Sequence, residues 1–460
     1  MGKYMLFRKC KKEIVNWYYS DINSALLVTG ARQVGKTFLI EQTLIDQNIN
    51  YAKFNLIENS ALKNSLNTLE NISANEVILR LKFAANKKLN KGDVIFIDEV
   101  QEVKELVTII KFLVEEGSFK YILSGSLLGV ELTDLKSAPV GYLSILEMYP
   151  LDFEEFLIAN NISNETINYL KDCFDNIKPV DKYIHNSLID TFYKYLIVGG
   201  MPQAVDNFIK TQDLNSVINI QKSIISLYKN DFTKYEKEKK LELIKTYDLI
   251  PSELNSKNKR YTFTNLDQNL RFEKYVNNFN WLIDAGVAIP TYNVTEYQIP
   301  LMASKKSNLF KLFLSDVGLL TCSYGLSTAQ KLLDKGKEIN CGAIFENFVA
   351  IELNSHKLKT YYFNNKKHGE VDFLLEYETK LLPVEVKSGK DYQTHSALSY
   401  FMSTNYFSKA FVLSNSNVSI KNNIIYLPIY MTMFIQEQLK ESTVKKIDLS
   451  NLTQHIKTND

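Results

Sequence analysis

Residues 30–37 read Gly-Ala-Arg-Gln-Val-Gly-Lys-Thr, and Gly30, Gly35, Lys36 and Thr37 fit the phosphate-loop (Walker A) pattern G-x-x-x-x-G-K-[ST] without a mismatch. The flanks agree with the motif. Ala25–Thr29 (ALLVT) is a short apolar run suited to a buried parallel strand, and Phe38–Leu44 continues as a helix. Glycines let backbone N–H groups turn inward around phosphate oxygens, and the helix N-terminus adds partial positive charge. Gly30, Ala31, Arg32, Gln33, Val34, Gly35, Lys36, Thr37 and Phe38 are therefore the expected ATP-binding segment. Lys36 would reach the β and γ phosphates, and the Thr37 hydroxyl would hold Mg²⁺.

A second motif supports the first. Asp93–Glu99 (DVIFIDE) is an apolar run ending in two acids, as at the carboxyl end of a buried parallel strand where ligands sit in open α/β sheets (Walker B). Asp98 would hold the Mg²⁺ shell through water, and Glu99 would polarise the attacking water. Tyr51–Leu56, Lys120–Leu123 and Tyr142–Met148 read as further strands, with helical patterns between them. Strands alternating with helices imply a parallel sheet with right-handed crossovers. Ser124 or Ser126, just after the 120–123 run, is placed to contact the γ-phosphate or water, or to form a plain turn.

The chain has 460 residues, a length that favours two or three domains. Its 45% hydrophobic and 23% charged content is that of a soluble globular protein. No apolar run is long enough to span a bilayer, and Met1–Lys12 lacks the apolar stretch of a secretion signal, so no membrane association and a cytoplasmic location are expected. Four scattered cysteines and five histidines show no zinc or disulfide spacing. A net charge of +2 neither requires nor excludes nucleic acid. Arginine occurs only at 8, 32, 80, 260 and 271.

GARQVGKT (30–37), VIFIDEVQ (94–101), ILSGS (122–126), EMYPLDFEEFL (147–157), VGGMPQAV (198–205) and KLFLSDVGLL (311–320) together resemble AAA-type ATPases of bacteria and archaea that carry a C-terminal domain of unknown function, of the DUF4143 kind. The resemblance spans most of the chain and implies ATP and Mg²⁺ use. It also allows a homo-oligomer. One departure stands out. Such proteins often place an arginine near Val140-Gly141 to meet the γ-phosphate, where this chain has Tyr142. Arg260 or Arg271, from a neighbouring subunit or from the C-terminal half, would have to replace it, with Lys136 as a weaker substitute; otherwise basal hydrolysis is slow.

Residues 152–235 are helical by pattern and fit a lid, broken at Gly199-Gly200 and Pro202. Residues 236–300 read as helices with a boundary at Ile250-Pro251, then an extended Val287–Val294, an order that resembles a winged helix. Lys257, Lys259, Arg260 and Lys274 would then meet phosphates, or simply form a solvated face. Tyr297–Asn308 is the expected linker.

In the last third, Gly369–Leu375 (GEVDFLL) and Leu381–Lys387 (LLPVEVK) form an expected hairpin. Alternation puts Glu370 and Asp372 on one face, with Val371 and Phe373 on the other. A helix at Ala343–Leu353 carries Glu346, and a helix near Thr394–Met402 and a strand at Ala410–Leu413 follow. This order, with Asp and then E-x-K, resembles the PD-(D/E)xK core of restriction-enzyme-like nucleases. Asp372, Glu385 and Glu346 would then ligate Mg²⁺, and Lys387 would orient or deprotonate the nucleophile.

The expected architecture is α/β: a P-loop parallel-sheet ATPase core over 1–160, a helical lid over 161–235, a helical or winged-helix middle over 236–300, a nuclease-like α/β domain over 301–440 and a tail over 441–460. The expected function is a Mg²⁺-dependent ATPase coupled to DNA or RNA. The alternative is a nucleotide-dependent switch or protein remodeller whose C-terminal domain binds a partner without cleaving.

Overall fold

The computed structural model describes residues 6–67, 73–125, 141–232, 240–256, 259–262, 272–336, 338–365, 369–404 and 406–436. Ser126, Lys136, Val140, Lys257, Arg271, the side chain of Lys274 and the 441–460 tail lie outside the described residues.

The apolar runs form strands β1 (Ala25–Thr29), β2 (Tyr51–Asn55), β3 (Val94–Asp98), β4 (Lys120–Ser124) and β5 (Leu143–Glu147). They make one five-stranded sheet in the order β2-β3-β4-β1-β5, and every pairing is parallel. β3 is buried along its whole length, which is why its sequence does not alternate. β4 lies between the strands that lead into the two motifs, so Ser124 at its end sits beside both.

Five helices follow: Phe153–Ala159, Asn164–Asp175, Lys182–Val198, Pro202–Thr211 and Leu214–Asp231. Asp152, Ser163, Asp181 and Asp213 cap four of them by accepting from the free N–H groups of the first turn, and Pro202 begins the other. At the break between the third and fourth helices, the Gly200 N–H donates to buried Asp316 at 2.6 Å. A Cβ on Gly200 would meet the Leu151 carbonyl at 2.0 Å, so the two segments approach only through glycine.

The second sheet has eight strands: β6 (Ala288–Val294), β7 (Lys305–Leu314), β8 (Tyr361–Asn365), β9 (Gly369–Tyr377), β10 (Lys380–Val386), β11 (Ala410–Ser414), β12 (Ser419–Lys421) and β13 (Ile424–Pro428). Their order is β12-β13-β11-β10-β9-β8-β6-β7. Four expectations change here. The helix Lys240–Asn255 runs through Pro251 instead of ending there. β6 pairs with β7 on one side and with β8 on the other, so no wing stands free after the helix Phe272–Asp284, and the sheet crosses the boundary expected at 300. The segment expected as a linker is instead the 3-10 turn Leu301–Ser304 and the start of β7. Tyr361–Asn365, not foreseen as a strand, sits between β6 and β9.

One apolar cluster joins the two halves, from Ile14 through Phe192 and Phe348 to Ile435. Phe348, on the helix Gly342–Ser355, makes edge contacts with Phe153, Phe192 and Tyr195. On the same helix, buried Glu352 accepts the Phe153 N–H at 2.8 Å. Among the described residues, no helix is long and apolar enough to cross a membrane.

Candidate functional site

The loop between β1 and the helix Lys36–Asp46 turns at two glycines. Gly30 has φ 128°, and a Cβ there would meet the Met148 carbonyl at 2.1 Å. Gly35 has φ 91° and caps the helix in the left-handed region. Ala31 and Val34 bury their side chains in the core and offer only backbone to the cleft. Arg32, Gln33, Gly35, Lys36, Thr37 and Phe38 line a cleft of about 830 Å³ together with Asp98 and Glu99. Its walls also include Leu6, Arg8 and, from the helix that Pro202 begins, Gln203, Asp206 and Lys210.

Inside it, the Lys36 ammonium reaches back to the carbonyls of Gly30 at 2.8 Å and Ala31 at 2.9 Å. The Thr37 hydroxyl donates to the Asp98 carboxylate at 3.0 and 3.2 Å, and the Ser124 hydroxyl donates to it as well. Glu99 holds φ 57°, an uncommon conformation for a non-glycine residue and one that clusters at functional sites. The Gln101 amide donates to its carboxylate at 2.5 Å. A glycine cradle, an ammonium bonded only to loop carbonyls and a hydroxyl beside a buried aspartate suit a triphosphate with its magnesium.

Burial lowers the Lys36 ammonium to about 8, although Glu99 and Asp98 pull it upward. Phosphate oxygens favour the charged form, so ATP binding must draw in a proton wherever the empty site holds neutral lysine. Affinity for ATP should therefore stay level below about pH 7 and fall as pH rises through about 8. Calorimetry near pH 8.5 in buffers of different ionisation enthalpy should register proton uptake. Identical heats would contradict it.

In the sequence, Arg8 is only one charge of a basic N-terminus. In the structure its guanidinium donates to the Val34 carbonyl at 3.0 Å and the Tyr149 carbonyl at 2.5 Å, and pairs with Glu155 at 3.2 Å. It braces the phosphate loop at Val34 from the wall of the cleft. No local sequence pattern announces this, because the partners lie up to 147 residues away (155 minus 8).

The C-terminal residues also converge, with a different outcome. The turn Glu378-Thr379 has positive φ at both positions, as a two-residue hairpin requires, and joins β9 to β10. Pairing of β8 with β9 shifts register near Asp372, and Val371 packs in a different apolar cluster from Phe373. The expected alternation therefore fails at this point, as a bulge would make it do. Asp372 accepts the Val386 N–H at 2.9 Å, and Glu385 pairs with Lys387 at 2.8 Å.

The space between the carboxylates is taken by lysine. Fully buried Lys311 reaches Glu370 at 2.7 Å, Glu346 at 3.2 Å and Asp372 at 3.7 Å. Lys259 pairs with the other oxygen of Glu346, and Arg260 lies 3.9 Å from Glu370. Burial alone would lower Lys311; Glu346, Glu370 and Asp372 outweigh it and hold the ammonium charged. Burial, with Asp372 beside it, pushes Glu385 up to about 8. Glu346, Glu370, Asp372 and Glu385 thus face Lys259, Arg260, Lys311 and Lys387.

Three expectations meet this cluster. Among the described residues no group of three or more His, Cys, Asp or Glu is arranged to hold a metal ion, and lysines stand among Glu346, Asp372 and Glu385, the expected ligands. Lys259 and Arg260 turn to carboxylates instead of an exposed phosphate-binding face. Arg260, held there, does not line the nucleotide cleft of its own chain. The sequence signal for Lys311 is a lone lysine inside the apolar run FKLFL.

Residues 22–157 match the family model of an AAA domain. Residues 189–330 and 341–431 match models of two domains of unknown function, DUF8612 and DUF4143. No match is found among curated proteins. Among solved structures, the chain is similar to the Walker-type ATPase PABY2304 of Pyrococcus abyssi, at 13% identity and TM-score 0.42, covering 70% of this chain and 96% of that one. It is also similar to the S. cerevisiae Hsp104–ADP complex, at 12% identity and TM-score 0.27, covering 76% and 44%. Both TM-scores are too low to equate the folds.

Proposed function

We propose that this chain, with an AAA domain at residues 22–157, binds and hydrolyses ATP as a switch whose C-terminal domain engages a partner without cutting it. The observation that carries the nucleotide half is the meeting of Lys36, Thr37, Asp98 and Glu99 in one cleft under the glycine loop. Lys36 would leave the Gly30 and Ala31 carbonyls for the β and γ phosphates. Magnesium, held through Thr37 and Asp98, would supply charge neutralisation between those phosphates. Glu99 would take a proton from water as its oxygen bonds to the γ-phosphorus. The bond to the bridging oxygen breaks, and that oxygen leaves on ADP. Glu99→Gln keeps the shape of the site but removes the base. Turnover should drop by about 10²–10⁴ while ATP stays bound. Undiminished turnover would remove Glu99 from this role.

A second reading, coupling to nucleic acid, is favoured by topology. The order from Gly342 to Ser414 is helix, three strands, helix, strand, which keeps the helix, hairpin, helix, strand order read in the sequence and adds β8 before the hairpin. The lysines among its acids favour binding over cleavage. Supercoiled plasmid incubated with Mg²⁺ or Mn²⁺ should stay intact, with and without ATP. Nicking that vanishes in Asp372→Ala would restore the nuclease reading.

A further inference from the structure

We propose that Arg32 is the arginine that meets the γ-phosphate, and that it reaches it by leaving an ion pair with Asp231 of the helix Leu214–Asp231. This rests on the ATPase reading and names one more residue of the same site.

The hydrolytic cleft needs a guanidinium for the charge that builds on the γ-phosphoryl oxygens, and the sequence places none near Gly141. Tyr142, which stands there, donates to Glu115 at 2.6 Å on the surface. Arg80 is turned to the Ser65 carbonyl, and Arg260 to Glu370. Among the described residues, two arginines line the cleft, Arg8 and Arg32. Arg8 is 7% exposed and committed to Val34, Tyr149 and Glu155. Lys210 also lines the cleft but pairs with Asp206 at 2.6 Å and lacks the planar fork that matches phosphate.

Arg32 differs from all of these. It sits inside the phosphate loop, two residues after Gly30 and four before Lys36. Its side chain is 41% exposed, so it is free to turn toward the cleft, and its charge is close enough to lower the Lys36 ammonium. Its partner is one carboxylate, Asp231, at 2.5 Å and 8% exposed. A γ-phosphate offers more negative charge than the single Asp231 oxygen that Arg32 contacts, and this gain works against the cost of leaving Asp231 unpaired. The backbone does not have to follow. The Tyr228 hydroxyl donates to the Arg32 carbonyl at 3.1 Å from the same helix, and that bond holds the loop while the side chain turns.

The exchange also tells the rest of the chain which nucleotide is bound. Asp231, left without Arg32, ends a helix whose Gln221 amide holds the carbonyls of Ile197 and Val198 at 2.8 and 2.9 Å, next to the Gly199-Gly200 break and Asp316. With ADP the Arg32–Asp231 pair reforms.

The test compares wild type with Arg32→Ala, Arg32→Lys and the double variant Arg32→Ala/Asp231→Ala, which leaves no unpaired buried carboxylate. Turnover of ATP, calorimetric ADP affinity and fluoroaluminate-dependent trapping of ADP are measured, with melting temperature alongside. Both alanine variants should lose about 10³ in turnover and should lose trapping by fluoroaluminate, with ADP affinity and (in the double variant) melting unchanged. Arg32→Lys should recover little of the rate. Wild-type turnover in Arg32→Ala overturns the proposal and leaves the ATPase reading standing. Parallel loss of ADP affinity and melting in the double variant also overturns it, making Arg32 a brace. A wild-type chain that neither binds nor hydrolyses ATP sinks the ATPase reading and this proposal together.

Discussion

Lys36→Ala should weaken ATP binding by at least about a hundredfold, since it removes a charge-assisted contact worth about 3 kcal/mol from a low-dielectric cleft. The loss should be larger for ATP than for AMP, because the ammonium serves the β and γ phosphates. Folding should survive. In the empty site Lys36 only bonds the Gly30 and Ala31 carbonyls, and its burial costs it protonation. Lys36→Met keeps the aliphatic stem and serves as the control for packing. Titration calorimetry at neutral pH decides the matter. Equal affinities for wild type and Lys36→Ala would mean that nucleotide, if bound, sits elsewhere.

Lys311→Ala should be the most damaging substitution in the C-terminal half. Removing one partner from a buried ionic cluster costs about 3–5 kcal/mol, because the others are left desolvated and unpaired. Here Glu346, Glu370 and Asp372 would all face the gap. The triple variant Lys311→Met/Glu346→Gln/Asp372→Asn removes the lysine with two of its three acids, leaves the part-exposed Glu370 beside Arg260, and should recover part of the stability. Urea unfolding followed by fluorescence measures both. Should Lys311→Ala fold as firmly as wild type and take up Mn²⁺ tightly, the lysine would merely be standing where a cation belongs.

The centre of the first sheet is legible in the sequence because buried parallel strands are written as apolar runs, whereas the edge strands β2 and β5 are mixed and half-exposed. The apolar run Ala25–Thr29 has the same bounds as β1, and the other four strands differ from their runs by at most one residue at each end. The phosphate loop is legible because its spacing is strict and local. Contacts between residues far apart in the chain are not. The brace from Arg8 to Glu155, the pair of Arg32 with Asp231, and the pairing of β6 with β8 across the expected boundary have no local pattern. In the C-terminal half, alternation points to E-x-K and its upstream acids but is silent about what fills the space between side chains. A bulge near Asp372 also breaks the period on which the reading of that strand relies.

The helix Gly342–Ser355 carries Glu346 into the lysine cluster and, six positions on, Glu352 onto the Phe153 N–H. Those positions are about 9 Å apart along a rigid rod. The helix that begins at Phe153, with five residues between it and the last strand of the nucleotide sheet, is thereby tied to the same rod as the far carboxylates. The aromatic rings of Phe153, Phe192, Tyr195 and Phe348 clamp the rod midway. The nucleotide half and the lysine cluster thus share one rigid helix, with Phe348 packed between its two acidic contacts.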